Sequence, residues 1–122
     1  MPKVLVVEDD ATVRDLLRVL LQTEGYETVE AGDGLEGLLK AEFGKPDLMI
    51  LDLMMPDVDG ERMLEQIQGD PNLSSVPVII VSGKYEALDD MRHSLGDENV
   101  FAKPFEPSLL LARVAELLNK KG

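Results

Sequence analysis

Short apolar runs alternate along this chain with segments whose apolar residues recur every three or four positions. Lys3–Val7 reads as a strand. Over Ala11–Glu24, Val13, Leu16, Leu17, Leu20 and Leu21 recur at helical spacing, with Asp10 where an N-cap belongs and Gly25 where a C′ glycine belongs. Tyr26–Glu30 reads as a short strand, and Gly34–Glu42 as a helix with Leu35, Leu38 and Leu39 on one face. Asp47–Leu51 is the third strand and Gly60–Gln68 the third helix. Val76–Val81, rich in β-branched residues, is the fourth strand, and a weaker helical pattern covers Glu86–Ser94. Asn99–Ala102 and Pro107–Asn119 supply the last strand and helix. Strands alternating with helices in this way predict a parallel sheet covered on both faces, formed by one α/β domain over residues 1–122. Right-handed crossovers leave only a few topologies.

Polar residues sit where these strands end. Asp52 follows the apolar run Leu48-Met49-Ile50-Leu51. A carboxylate at the tip of a buried strand is costly unless it is paired with a cation or a metal. Glu8-Asp9-Asp10 ends the first strand, and Lys103-Pro104 follows Asn99-Val100-Phe101-Ala102. Open α/β sheets bind ligands at the carboxyl ends of their strands, where the strand order reverses. Acids and a lysine gathered there suit a divalent cation and a phosphoryl group.

Composition narrows the setting. The 122 residues carry 24 acidic and 12 basic side chains, a formal charge of −12. Such a surface repels nucleic acid and anionic lipid, and there is no basic stripe, so no nucleic-acid contact and no membrane association are expected of this segment. Cysteine is absent, which excludes disulfides and thiolate chemistry. The first apolar run is too short for a signal peptide, and none approaches the ~20 residues of a membrane-spanning helix. A cytoplasmic protein is expected.

Four segments together resemble a response-regulator receiver domain, CheY-like, over essentially the whole chain. They are Val6-Val7-Glu8-Asp9-Asp10, Ile50-Leu51-Asp52-Leu53-Met54-Met55-Pro56-Asp57-Val58-Asp59-Gly60, Ile80-Val81-Ser82-Gly83 and Lys103-Pro104-Phe105. The resemblance implies the flavodoxin-like, doubly wound order 2-1-3-4-5. It also implies a place in two-component signalling. Asp52 would accept a phosphoryl group from a phosphohistidine on a sensor histidine kinase or a histidine phosphotransfer protein, and contacts would switch at the face of the fourth helix, fifth strand and last helix. The receiver of that switch would be an unknown downstream protein or a fused output domain. Mg²⁺, with Mn²⁺ as an alternative, would be held by Asp9 and Asp52 directly, by Glu8 through a water, and by the Met54 backbone carbonyl. Elementary chemistry agrees: an aspartate carboxylate is a competent nucleophile, phosphoryl transfer needs mainly positioning and charge neutralisation, and Mg²⁺ favours carboxylate, water and phosphate oxygens.

Further roles follow from the same resemblance. Lys103 pairs with a phosphoryl oxygen, and with Asp52 when the site is empty; the Lys103–Pro104 bond is cis. Ser82 donates its hydroxyl to the phosphoryl group, and Gly83 leaves the phosphorus accessible. Met54 and Lys84 stand where the family tunes phosphate lifetime, and their bulk predicts slow self-dephosphorylation. Asp10 lies one place beyond the acidic pair and reads as a helix cap. Gly60 and Pro56 read as loop-shaping.

One position departs from the pattern. Many receivers carry an aromatic residue three places before the lysine, and here that place is Val100. Phe101 points to the opposite face by strand alternation and reads as core. Tyr85 stands in the aromatic's place or is a surface residue. A switch that works chiefly by drawing in the loop Ser82–Glu86 is therefore expected to be weaker, and a phosphorelay intermediate or phosphate sink is the alternative function. His93 reads as a surface residue. Two remote readings fare worse. A Mg²⁺-dependent aspartyl phosphatase of the haloacid dehalogenase type would need an acid at position 54, which is methionine. A flavin or nucleotide carrier would need a Gly/Ser/Thr-rich first loop in place of Glu8-Asp9-Asp10. No turnover of an external substrate is expected. The tail Asn119-Lys120-Lys121-Gly122 reads either as a natural terminus or as the start of a cut linker.

Overall fold

The strands β1 (Lys3–Val7), β2 (Glu27–Ala31), β3 (Leu48–Leu51), β4 (Val78–Ser82) and β5 (Val100–Ala102) pair in parallel in the order β2-β1-β3-β4-β5. The structure, a computed structural model, describes residues 1–55, 57 and 60–119. The helices are α1 (Ala11–Thr23), α2 (Gly34–Gly44), α3 (Gly60–Gly69), α4 (Tyr85–Leu95) and α5 (Pro107–Asn119), with one 3₁₀ turn at Asp97–Asn99. This is the doubly wound architecture expected from the sequence. Pro56, assigned to loop-shaping above, lies outside the described residues, as does the Lys120-Lys121-Gly122 part of the tail.

Strand alternation divides the core in two. Leu5, Val7, Met49, Leu51, Ile80 and Val100 face one side and pack with Met63, Leu64 and Ile67 of α3 and Ala87 and Leu88 of α4. Val4, Val6, Leu48, Ile50, Ile79 and Val81 face the other and pack with Leu17 and Leu21 of α1 and Leu110 and Val114 of α5. Central strands buried on both faces explain why their sequences are apolar without a break. Phe101 packs with the second group and Val100 with the first, on opposite faces as alternation requires.

The helix ends follow local chemistry. The Asp10 carboxylate accepts hydrogen bonds from the Thr12 N–H (2.9 Å) and Val13 N–H (3.4 Å), so it caps α1. Gly25 takes φ +89° after that helix, a backbone conformation that favours glycine. Asp33 caps α2 through the Glu36 N–H (2.8 Å). Boundaries differ from expectation by one or two residues where turn geometry intervenes. Tyr26 is drawn into the end of α1, its N–H donating to the Leu21 carbonyl, so β2 starts at Glu27. Helix α2 continues to Gly44, where Lys45 ends it in the left-handed region (φ 47°). The Val76 N–H turns back to the Leu73 carbonyl and Pro77 has no N–H to give, so β4 starts at Val78. Helix α4 is regular from Tyr85, more complete than its sequence pattern suggested.

Candidate functional site at the strand ends

Parallel register carries the strands to a common edge. Val7 pairs with Leu51, Leu51 with Ile80, and Ser82 with Ala102. Backbone pairing continues one residue further, because the Glu8 N–H donates to the Ala31 carbonyl, the Asp52 N–H to Val7, and the Lys103 N–H to Ser82, each at 3.0 Å. Glu8, Asp52 and Lys103 are thus held by the sheet itself, next to the reversal between β1 and β3.

The side chains converge. Lys103 Nζ donates to Asp52 Oδ2 at 3.0 Å and to Glu8 Oε1 at 2.6 Å. The Asp52 pairing was expected; the shorter one to Glu8 was not. Glu8 and Asp52 are only 2% and 4% exposed, whereas Asp9 is exposed. Ligand oxygens of Glu8, Asp9 and Asp52 all lie within 4.8 Å of one another. The Met54 N–H donates to Asp52 Oδ1 (3.1 Å), folding the loop back over the carboxylate. Ser82 is fully buried, hydrogen-bonds Asp52, and accepts from the Lys84 N–H at 3.1 Å. An added Cβ at Gly83 would meet nothing within 4 Å, so that side of the pocket is open.

Burial and charge pull these groups in different directions. Burial pushes the Glu8 carboxyl up to about 7, against the Lys103 hydrogen bond and with help from neighbouring Asp52. Burial also pushes Asp52 upward. Hydrogen bonds with Glu8, Ser82, the Met54 N–H and Lys103 outweigh it and hold Asp52 below its ordinary value. Burial lowers Lys103, but the two carboxylates overcome this and raise it. Burial thus favours the protonated form of Glu8, while the surrounding donors and acids favour an ionised Asp52 and a charged Lys103. Three hard carboxylate donors gathered beside an open edge fit a small hard cation that keeps several waters.

Of the positions expected to tune the site, Met54 and Lys84 flank it through their N–H groups, which donate to Asp52 and Ser82. Met54 is 55% exposed. Lys84 Nζ reaches Glu61 Oε1 on α3 at 2.5 Å. Tyr85 is 61% exposed, and its hydroxyl donates to the Lys103 carbonyl. Val100 is buried. His93 lies on the exposed side of α4, against the Asp89 carbonyl. The Lys103–Pro104 bond is cis.

Several supporting residues escaped the sequence reading. The Arg14 guanidinium donates to the Glu8 carbonyl (2.8 Å). The Asp57 carboxylate accepts from the Gly34 and Leu35 N–H groups, both at 3.0 Å, pinning the loop after Asp52 to the start of α2. Anions are favoured there by the unpaired N–H groups and the helix dipole. From sequence Gly60 is loop-shaping. The structure gives it a sharper requirement: an added Cβ would stand 2.2 Å from the Asp52 carbonyl oxygen. The Asp57 and Gly60 contacts depend on tertiary approach, which leaves no periodic signal in the sequence.

A doubly wound sheet with an acid–lysine pocket at its switch point places this chain among the α/β proteins whose ligands bind at the carboxyl ends of the strands. The family is narrower: the chain belongs to the response-regulator receiver domains, whose family model, "Response regulator receiver domain", matches residues 4–115. It is similar to the DNA-binding dual master transcriptional regulator RpaA of Synechocystis, 33% identical over 121 residues, 98% of this chain and 50% of that protein. It is likewise similar to the alkaline phosphatase synthesis transcriptional regulatory protein PhoP of Bacillus subtilis, 36% identical over 119 residues, 97% of this chain and 49% of that protein. The chain thus spans about half the length of the curated relatives it matches. Among solved structures it is similar to the receiver domain of the Francisella response regulator 1452, with TM-score 0.89, 31% identity and 100% of both chains covered. The names of the relatives include DNA binding, so the charge-based expectation of no nucleic-acid contact finds no support in them. Among the described residues no helix is long and apolar enough to cross a membrane.

Proposed function

We propose that this chain is a cytoplasmic phosphoacceptor module in which Asp52 takes a phosphoryl group from a phosphohistidine of a sensor histidine kinase or histidine phosphotransfer protein. The observation that carries this reading is Lys103 Nζ bridging Asp52 and Glu8 at the strand ends, beside an open edge. A carboxylate oxygen of Asp52 attacks phosphorus, the P–N bond breaks, and its electron pair leaves with the donor imidazole, which takes up a proton. The depressed carboxyl of Asp52 keeps that nucleophile ionised. Lys103 follows the charge onto the phosphoryl oxygens, and Ser82 supplies a hydroxyl donor from β4. Asp9 and Asp52 would hold Mg²⁺ (or Mn²⁺) directly, Glu8 through a water and Met54 through its carbonyl. The ion would neutralise charge on the phosphoryl oxygens. An apolar hollow of about 370 Å³ beside Lys103, lined by Val13, Leu16, Pro104 and Phe105, supports docking of the donor protein there. No external substrate is turned over. Incubation with acetyl phosphate and Mg²⁺, read by intact mass, should add one phosphoryl group to the wild type and none to Asp52→Asn. Equal labelling of the variant would defeat the assignment.

A second reading, a phosphorelay intermediate or phosphate sink with weak output, is favoured by one observation. The buried residue at position 100 is valine, and the nearby aromatic, Tyr85, is already engaged with the Lys103 carbonyl. Amide NMR with Mg²⁺ and beryllofluoride separates the two. Shifts running from Asp52 through Ser82 and Tyr85 to His93 and Val100 support switching at the α4–β5–α5 face. Shifts confined to Asp9, Asp52 and Lys103 support the relay.

A further inference from the structure

On the side of the molecule away from α5, helix α2 presents an apolar stripe to solvent. Leu35, Leu39 and Phe43 are four residues apart, hence on one face, and are 57%, 52% and 80% exposed. Beside the stripe a groove of about 320 Å³ runs between α2 and α3, floored by Leu73 and edged by Glu42 and Asp70. Asp70 beside it raises the Glu42 carboxyl above its ordinary value, through hydrogen bonding and like charge. Among the described residues no lysine or arginine lines the groove; Lys45 lines the neighbouring hollow, which shares Glu42 and Leu73. The face therefore offers three large apolar side chains and a pair of mutually repelling acids.

We propose that this α2–α3 face is a docking groove for a basic amphipathic helix of a partner protein. Leu35, Leu39 and Phe43 would take apolar residues spaced four apart, and a lysine or arginine would sit between Glu42 and Asp70. An amphipathic helix laid in a groove buries such a stripe and is anchored at that spacing. Charge selects the occupant. A second copy would carry −12 of its own. A basic helix instead relieves the repulsion between Glu42 and Asp70. The groove is also tied to the phosphoacceptor loop, since Asp57 accepts the Leu35 N–H. The proposal does not depend on Asp52 accepting phosphate.

The test uses a synthetic helix-forming peptide with leucines four apart flanked by lysines, followed by amide NMR of the whole chain. Saturable shifts are expected at Leu35, Leu39, Phe43 and Leu73. Affinity should fall about tenfold in Phe43→Ser and several-fold in Glu42→Gln, and a Lys→Glu version of the peptide should not bind. Phe43→Ser, at a surface position, should keep the wild-type amide spectrum away from α2, which separates lost docking from lost folding. Asp52→Asn should bind the peptide like the wild type, whatever becomes of the phosphoacceptor role. Shifts on another face, equal binding of the Lys→Glu peptide, no binding, or concentration-dependent self-association abolished by Phe43→Ser would each overturn the proposal.

Discussion

Glu8 and Lys103 divide the electrostatic work around Asp52. The folded, metal-free pocket holds the Glu8 proton up to about 7, while the unfolded chain releases it near 4.5. The resulting stability is fully present below about 4.5 and is lost as pH rises through about 7. A cation that enters must displace that proton. Mg²⁺ affinity should therefore climb between about pH 5 and 7 and then level off, with proton release seen by calorimetry in buffers of different ionisation heat. In Glu8→Gln the climb should flatten; a wild type without the climb would contradict the assignment of the proton. On the proposed phosphoacceptor reading, replacing Lys103 by alanine removes the cation that would follow the transferred charge. Phosphoryl uptake from acetyl phosphate should then drop about a hundredfold, while Mg²⁺ binds no more weakly, since a competing positive charge is gone. The reading of Met54 and Lys84 as shields predicts that phosphate on Asp52 outlasts that on a Met54→Asn, Lys84→Glu double variant. Equal decay would end that reading. At this scale the sequence showed which residues meet, because Asp52, Glu8 and Lys103 each follow a recognisable strand. It did not show that Lys103 lies nearer Glu8 than Asp52, or that Lys84 reaches Glu61, because those distances come from packing.

Elements meet where side chains are smallest. An added Cβ on Gly37 of α2 would stand 2.9 Å from both Val7 methyl carbons, and one on Gly60 would press into the backbone at Asp52 and Leu53. Gly60→Ala should lower stability by about 1–3 kcal/mol in urea unfolding with an unchanged m-value. Its loss should be felt at Asp52 first, seen as weaker Mg²⁺ binding. A silent substitution would mean that the loop yields more easily than its contacts suggest. Asp57→Ala should cost about 1 kcal/mol by uncapping the two leading N–H groups of α2. The order of elements was legible because periodicity changes sharply between strands and helices. Their boundaries were less so: Val76 carries a strand-like side chain but is claimed by a turn, and Tyr26 by the end of α1.

The whole molecule carries an imbalance that no single pair repairs. With a formal charge of −12, net self-repulsion acts over the surface and is screened as the Debye length shrinks from about 10 Å at 0.1 M salt to about 3 Å at 1 M. Thermal unfolding should therefore move to higher temperature with added sodium chloride. A falling midpoint would mean that attractive ion pairs dominate instead. The doubly wound architecture was foreseeable at this scale because every central strand is apolar on both faces. The apolar stripe on α2 was visible as Leu35 and Leu39 in the helical pattern, but only the fold shows that nothing within the described residues covers it.

Lys103 reaches back 95 residues to Glu8. During synthesis, then, the acids emerge from the ribosome long before the cation that completes them. A nascent or clipped chain ending before β5 presents carboxylates without their lysine, so on the proposed reading it lacks the cation that a phosphoryl acceptor of this kind needs. If Asp52 is the acceptor proposed above, competence arrives only with the last strand, and unfinished copies would not drain phosphate from a donor.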